Sequence, residues 1–272
     1  MRTQSLKQSA TRLGTLVLRV AVVIGLSGGL YFGATHGYRW ATTSPTFALE
    51  DVTFTGHSRS TEGELLRLAG LAFGQNLFRM DVAALERAMD AHLWVRHVEV
   101  TRHFPSRIAV EVEEFEPAAL VSLGELYLLD REGAPFKKLQ AGDELDLPLV
   151  TGMTREEYVA SPEKASGQFR AALELMAAWS GSKEDGTPAF GDVSEIRIAK
   201  DGMTVVTEKG VEVRMGLDDT PAKLARLEKV RSELTRRGLE AEIVHLDNRA
   251  RPGWVTVKLP TPLSERKRGS VQ

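Results

Sequence analysis

VRHVEVTRHFPSRIAVEVEE, residues 95–114, alternates apolar and polar side chains twice, with Pro105-Ser106 between the two runs. In Val95–Phe104, Val98 and Val100 fall on one face, and His97, Glu99, Thr101 and His103 on the other. After the turn, Ile108, Val110 and Val112 alternate with Ala109, Glu111 and Glu113. Period-two alternation of this kind makes two strands, each with one buried and one wet face. Upstream, Asp81 is placed to cap a helix on which Val82, Leu85, Met89 and Leu93 recur at spacings of three and four. Before it, Thr61 and Glu64 have capping-box spacing, Leu65, Leu66, Leu68 and Ala69 follow, and Gly70 is a C-cap. The segment LAFGQNLF between these helices reads as a loop. Phe47–Thr55, with Leu49, Val52 and Phe54, reads as a further strand that Gly56 ends. The order β-α-α-β-β in about 70 residues gives two helices for one face of a three-stranded sheet, a complete small domain.

Farther upstream, Leu13–Ala34 (LGTLVLRVAVVIGLSGGLYFGA) is 22 residues long with one charge, Arg19. As a helix it would reach roughly 33 Å, against a bilayer core of about 30 Å. Arg2, Lys7, Arg12 and Arg19 are all basic, and the first acidic residue is Glu50. That bias holds the N-terminus in the cytoplasm and sends the chain beyond Tyr38 across the membrane. The run Val20–Ala34 also has the character of a cleaved signal peptide. A retained single span is the favoured reading, because the basic region is long and Tyr31, Tyr38 and Trp40 suit the outer interface. A buried globular helix fits least, since the segment has no polar stripe. Ala41–Thr46 (ATTSPT) reads as a short polar linker.

Of 35 basic residues five lie in 1–40, so the remainder sets 30 basic against 37 acidic residues. A net charge of about −7 offers no basic footprint for nucleic acid. The chain has no cysteine, which excludes disulfides, thiolate metal sites and a cysteine nucleophile.

A second domain opens at Pro117. Ala118–Ser122 and Glu125–Asp130 form a hairpin around Gly124, and Ser161/Pro162 open a helix with Phe169, Leu173 and Met176 on one face. SGSKEDGTP (180–188) reads as a mobile polar loop. Ile196, Ile198, Asp201-Gly202 and Val205 make another hairpin, and Val211–Met215 another strand. Asp219 or Thr220 caps a helix carrying Leu224, Leu227, Val230 and Leu234, which Gly238 ends. Its Lys223, Arg226, Lys229, Arg231, Arg236 and Arg237 are read as a solvated outer face. Residues 261–272 are a polar tail, expected to be disordered.

Catalytic patterns are missing. Gly56-His57-Ser58-Arg59-Ser60 fails the nucleophile-elbow pattern at its last position. There is no P-loop, dinucleotide glycine motif or H-E-x-x-H. His97 and His103 share a strand face but stand roughly 20 Å apart in an extended strand, too far for one metal ion. The chain is therefore read as a non-enzyme without cofactor or metal.

Several stretches together resemble one family. Trp94-Val95 is followed by Val98, Val100, Arg102, Phe104 and Pro105, then by Ile108, Val110, Val112 and Glu114 before Pro117. This is similar to the W-V, V-x-V-x-R-x-x-P and strand-ending-in-Glu pattern of the POTRA domain in the FtsQ/DivIB cell-division family. Leu129–Gly133 resembles that family's D-x-x-G turn, and Leu147–Gly152 its L-P-x-x-x-G segment. Ala241–Asp247 and Trp254–Leu259 resemble its last two strands, with Gly253-Trp254 matching the G-W of some relatives. The turn Asn248-Arg249-Ala250-Arg251-Pro252 is shorter than theirs and lacks their tyrosine.

The resemblance implies an α+β protein. Its parts are a cytoplasmic tail (1–12), a transmembrane anchor (13–38), a POTRA domain (46–116), a mixed β-rich domain with two flanking helices (117–260) and a tail (261–272). It implies a bitopic scaffold of the inner membrane, N-terminus cytoplasmic and folded domains periplasmic, at the division septum. It further implies partners of the FtsB and FtsL type, met by strand addition at the last strand, and other divisome membrane proteins, met by the POTRA domain and the anchor. The site expected from it is Asn248, Arg249, Gly253, Trp254, Val255, Thr256, Val257 and Lys258. Core packing is the competing reading of Trp254. The alternatives in function are a POTRA chaperone for exported or outer-membrane polypeptides, which would call for repeated POTRA units, and an envelope hydrolase.

Overall fold

The computed structural model describes residues 2–180, 191–217, 220–248, 250–251 and 253–260, with side chains from Arg19 onward except Val20. Nearly all of the polar stretch 180–188 and the whole of the tail 261–272 lie outside the described residues, as do Asp218, Asp219, Arg249 and Pro252. The chain divides into two units, Met1–Glu114 and Phe115–Gln272.

The first unit begins with one long helix, α1 (Arg2–Thr43), which contains the apolar stretch 13–34. At 42 residues it is about 63 Å long. From Ala21 to Trp40 every described side chain except Thr35 is exposed, large apolar ones included. Among the described residues no helix is long and apolar enough to cross a membrane; the first six residues of the expected span carry no described side chains. Ala41–Thr46, expected as a linker, is ordered structure. The helix runs on to Thr43, and Thr42 and Thr43 return their hydroxyls to the carbonyls of Tyr38 and Arg39 (2.9 and 2.7 Å). Ser44 then caps a 3-10 turn over Pro45–Phe47.

Strands β1 (Asp51–Thr55), β2 (Val95–His103) and β3 (Arg107–Glu114) form a sheet in the order β1-β3-β2. β3 pairs parallel with β1 and antiparallel with β2. The expected strand 47–55 starts late because Leu49, although buried, bonds through its N–H and carbonyl to Gln75 and Gly74 instead of to a ladder. Helices α2 (Glu62–Ala69) and α3 (Val82–Met89) contribute Leu65 and Met89 to the core formed with Val98, Val100, Ile108, Val110 and Val112. The capping box at Thr61/Glu64, the left-handed Gly70 and the Asp81 cap are all present. Leu93 does not extend the apolar face: α3 stops at Met89 and Leu93 is exposed in the turn beyond. Val95 is buried, out of step with the even positions, because a bulge between Val95 and His97 turns it inward.

The second unit is one nine-stranded mixed sheet with helices on one face. Its strands are β4 (Ala119–Ser122), β5 (Leu126–Leu129), β6 (Pro135–Lys138), β7 (Leu149–Thr151), β8 (Val193–Ala199), β9 (Gly202–Thr207), β10 (Glu212–Gly216), β11 (Ile243–His245) and β12 (Thr256–Lys258). The spatial order is β12-β11-β10-β9-β8-β7-β4-β5-β6; β7 pairs parallel with both its neighbours, β4 and β8, and β10 pairs parallel with β11, while the other pairs are antiparallel. α4 (Arg155–Ala160) is short; α5 (Pro162–Ser180) and α6 (Thr220–Arg237) are the two long helices. Phe169, Leu175 and Trp179 of α5 and Leu227 of α6 share a core with Val121, Val150, Ile196, Val205, Val213 and Val244.

Two glycines show why the motif positions tolerate nothing larger. Gly133 has φ +79°, and a Cβ there would stand 2.7 Å from both the Ser166 carbonyl oxygen and the Arg170 nitrogen of α5. Gly152 has φ +91°, with the Ile198 carbonyl oxygen 2.0 Å from where a Cβ would lie. Each lets one stretch of backbone approach another closely.

Candidate functional site

β12 is the terminal strand of the large sheet, and among the described residues it has a neighbour, β11, on one side only. It pairs antiparallel, Ile243 with Lys258, Val244 with Val257 and His245 with Thr256. Side chains alternate along it: Val255 and Val257 are half-buried against the core, while Trp254, Thr256 and Lys258 are exposed. That parity sets aside the core-packing reading of Trp254. At 62% exposure it is not a core residue.

The approach to the strand is stiffened locally. Asn248 is half-buried, and its Oδ1 accepts from the Arg251 N–H at 3.0 Å. The Trp254 N–H donates to the Arg251 carbonyl at 2.9 Å. The Arg251 guanidinium lies 4.7 Å from the centre of the Trp254 ring, a cation–π contact that holds the indole against the turn. Gly253 is exposed between them, and Arg249 lies outside the described residues. At the far end, the Glu242 N–H donates to the Lys258 carbonyl at 2.9 Å and the Lys258 ammonium meets the Glu242 carboxylate at 3.0 Å. Thus Trp254, Thr256 and Lys258 form one solvent-facing row, Val255 and Val257 fasten the strand, and Asn248 braces the turn. Arg251, which fixes the indole, had no signal beyond its place three residues before a tryptophan.

The wet face of the central strands is built differently. Glu195 on β8 accepts from the Thr151 hydroxyl at 2.6 Å and from the Arg197 guanidinium at 3.1 Å, and Arg197 also reaches Glu212 at 2.8 Å. Burial works against the Glu195 charge, but the hydrogen bonds from Thr151 and Arg197 outweigh it and hold its pKa below the usual carboxylate value. Bonds to Glu195 and Glu212 correspondingly raise Arg197. These groups satisfy one another and present no convergent unmet chemistry. Among the described residues no cluster of three histidine, cysteine or acidic side chains could hold a metal ion.

Comparison with known proteins bears on both units. The family model for the FtsQ-type POTRA domain matches residues 47–115, and the model for the C-terminal region of cell division protein FtsQ/DivIB matches residues 119–249. The cell division protein FtsQ of Myxococcus fulvus is 51% identical over 257 residues, spanning 93% of this chain and 89% of that one. The chain belongs to the FtsQ/DivIB family of cell division proteins. Two further FtsQ proteins, from an Anaeromyxobacter and a Geobacter species, are 37% and 32% identical over 93% and 82% of this chain. For an FtsQ-family chain the β-α-α-β-β unit is the POTRA domain, and the nine-stranded sheet is the C-terminal β domain. The FtsQ/DivIB match ends at residue 249, within the turn that leads to β12.

Proposed function

We propose that this protein is a non-enzymatic scaffold of the division machinery, which binds FtsB- and FtsL-type membrane proteins and couples them to septal peptidoglycan synthesis. Family membership supports the division role. The observation that carries the binding mode is the single-sided β12 with Trp254 exposed beside it. A bare strand edge accepts an extended segment through main-chain hydrogen bonds, and an exposed aromatic beside it adds apolar area and register.

The same reading makes Leu13–Ala34 a single inner-membrane span, with the N-terminus cytoplasmic and both folded units periplasmic. It is supported by the exposed apolar surface of α1 over Ala21–Phe32 and by the excess of Arg and Lys before it. Confinement to the membrane plane raises the effective concentration of partners that share it, so a modest edge contact suffices. The test pairs depletion with a fluorescent fusion whose fluorophore matures outside the cytoplasm. Filamentous cells on depletion and recruitment of the fusion to mid-cell are the expected result. Normal division, or a fusion spread evenly around the cell, overturns the proposal.

A further inference from the structure

Four aromatic side chains from four separate segments meet at the exit of α1. Trp40 is on the last turns of α1, Phe47 in the 3-10 turn, Phe78 in a second 3-10 turn (Leu77–Arg79) and Phe104 in the turn between β2 and β3. Phe47 is the hub. Its ring centre is 5.6 Å from Trp40, 4.9 Å from Phe78 and 6.1 Å from Phe104, all edge-to-face, and Phe78 stacks on Phe104 at 4.8 Å. The cluster is not a core. Trp40 is 62% exposed, Phe104 53% and Phe78 39%, and the buried core of this unit contains none of the four.

Two features tie this patch to α1. Asn76 donates through Nδ2 to the carbonyls of Ala41 (2.9 Å) and Ser44 (3.2 Å), which pins the Phe78 turn to the end of the helix. Trp40 lies six residues past Ala34, about 9 Å along the helix, at the outer margin of a lipid headgroup layer about 5–7.5 Å deep. Aromatic rings are favoured at that level because an apolar body meets lipid while polar edges stay wet. The charges bordering the patch, Arg39, Arg79, His103 and Arg107 against Glu50 and Asp51, are nearly balanced, so anionic lipid is not required.

We propose that the Trp40–Phe47–Phe78–Phe104 cluster is a membrane-docking surface that seats the base of the POTRA domain in the lipid interface of the leaflet from which α1 emerges. This rests on the reading of Leu13–Ala34 as a span. Docking would fix the height and tilt of the domain above the bilayer, where a free tether would leave both unset.

The absence of cysteine allows single nitroxide labels on the full chain reconstituted in phosphatidylcholine vesicles. Labels go at Arg107→Cys beside the cluster, at Glu113→Cys about 20 Å along the same strand, and at Ile24→Cys in the apolar stretch. The expected result is that oxygen collides more often than a water-soluble nickel chelate with the labels at 24 and 107, and less often with the label at 113. Phe78→Ser with Phe104→Ser should then return the label at 107 to water and leave that at 24 in lipid. A lipidic label at 24 with an aqueous one at 107 in the otherwise unaltered chain overturns the docking proposal alone, and would make the patch a surface for another protein. An aqueous label at 24 overturns the span and the docking together. Val159→Ser, which removes an exposed apolar residue of the second unit, should change none of the three labels.

Discussion

The nine-stranded sheet has two edges, and they are finished differently. At β6 the strand starts on a proline, a bulge between Leu128 and Leu129 twists the pairing, and Phe136 stacks on Phe115 at 4.6 Å. Lys137, buried there, is locked to Asp143 at 2.6 Å. These are devices that keep a strand edge from recruiting another chain. At β12 the solvent row is Trp254, Thr256 and Lys258, and the one charge in it is engaged by Glu242, just before the neighbouring strand β11. Among the described residues the β6 edge is thus blunted, while β12 carries no proline, bulge or buried ion pair of this kind.

The largest expected effect on binding is at β12 itself. Val257→Pro removes an N–H from the three-residue strand and should weaken binding of an extended FtsB-type peptide at least about 30-fold, near 2 kcal/mol. Trp254→Ala comes next, with about a 10-fold loss of affinity in titration calorimetry. Its stability in thermal melts should stay within about 0.5 kcal/mol of the parent, since the ring lies outside the core. Lys258→Ala should cost at most about 1 kcal/mol of affinity, as expected for an exposed charge. At the opposite edge the outcome separates stability from binding. Asp143→Ala leaves the buried Lys137 without its carboxylate and should destabilise the fold by about 3 kcal/mol, while folded molecules bind the peptide as before.

The smallest effect on binding, and a distinct pH signature, belongs to Glu114 in the first unit. Burial opposes its charge, yet bonds from the Ser60 hydroxyl (2.6 Å), the Ser60 N–H (2.7 Å) and the Arg59 N–H (2.8 Å) prevail and hold its pKa below the usual carboxylate value. A depressed folded pKa gives stability that is complete above the unfolded value of about 4.3 and is lost as pH falls through the folded one. Thermal melts of Glu114→Gln should lie below the parent at neutral pH and converge with it in acid. Peptide affinity at β12 should be the same in both.

The two units differ in how far residues alone expose them. In the POTRA unit the signals are local: a capping box at Thr61, a left-handed Gly70, and strict alternation from Ile108 to Val112. The bulge at Val95 and the early stop of α3 before Leu93 escape, because a one-residue irregularity leaves no periodic trace, and so does the late start of β1, where Leu49 is buried without joining the ladder. The β domain is non-local. β7 joins β4 and β8 across about 70 residues of chain, and β11 lies parallel to β10 only after the whole of α6 has intervened. Short strands such as β6 and β11, at four and three residues, carry too little alternation to announce their neighbours. Hairpins were therefore legible and the sheet order was not. At the candidate site, Trp254 stayed ambiguous until the parity of Val255 and Val257 placed it on the solvent side.

If β12 is the edge that takes a partner strand, its amides must leave solvent when the partner arrives. Hydrogen exchange on the full chain, with and without an extended FtsB-type peptide, reads this directly. Exchange should slow over residues 254–260 and stay as it was over residues 135–139. Unchanged exchange over 254–260 in the presence of bound peptide, or protection at β6 instead, would rule out β12 as the docking edge.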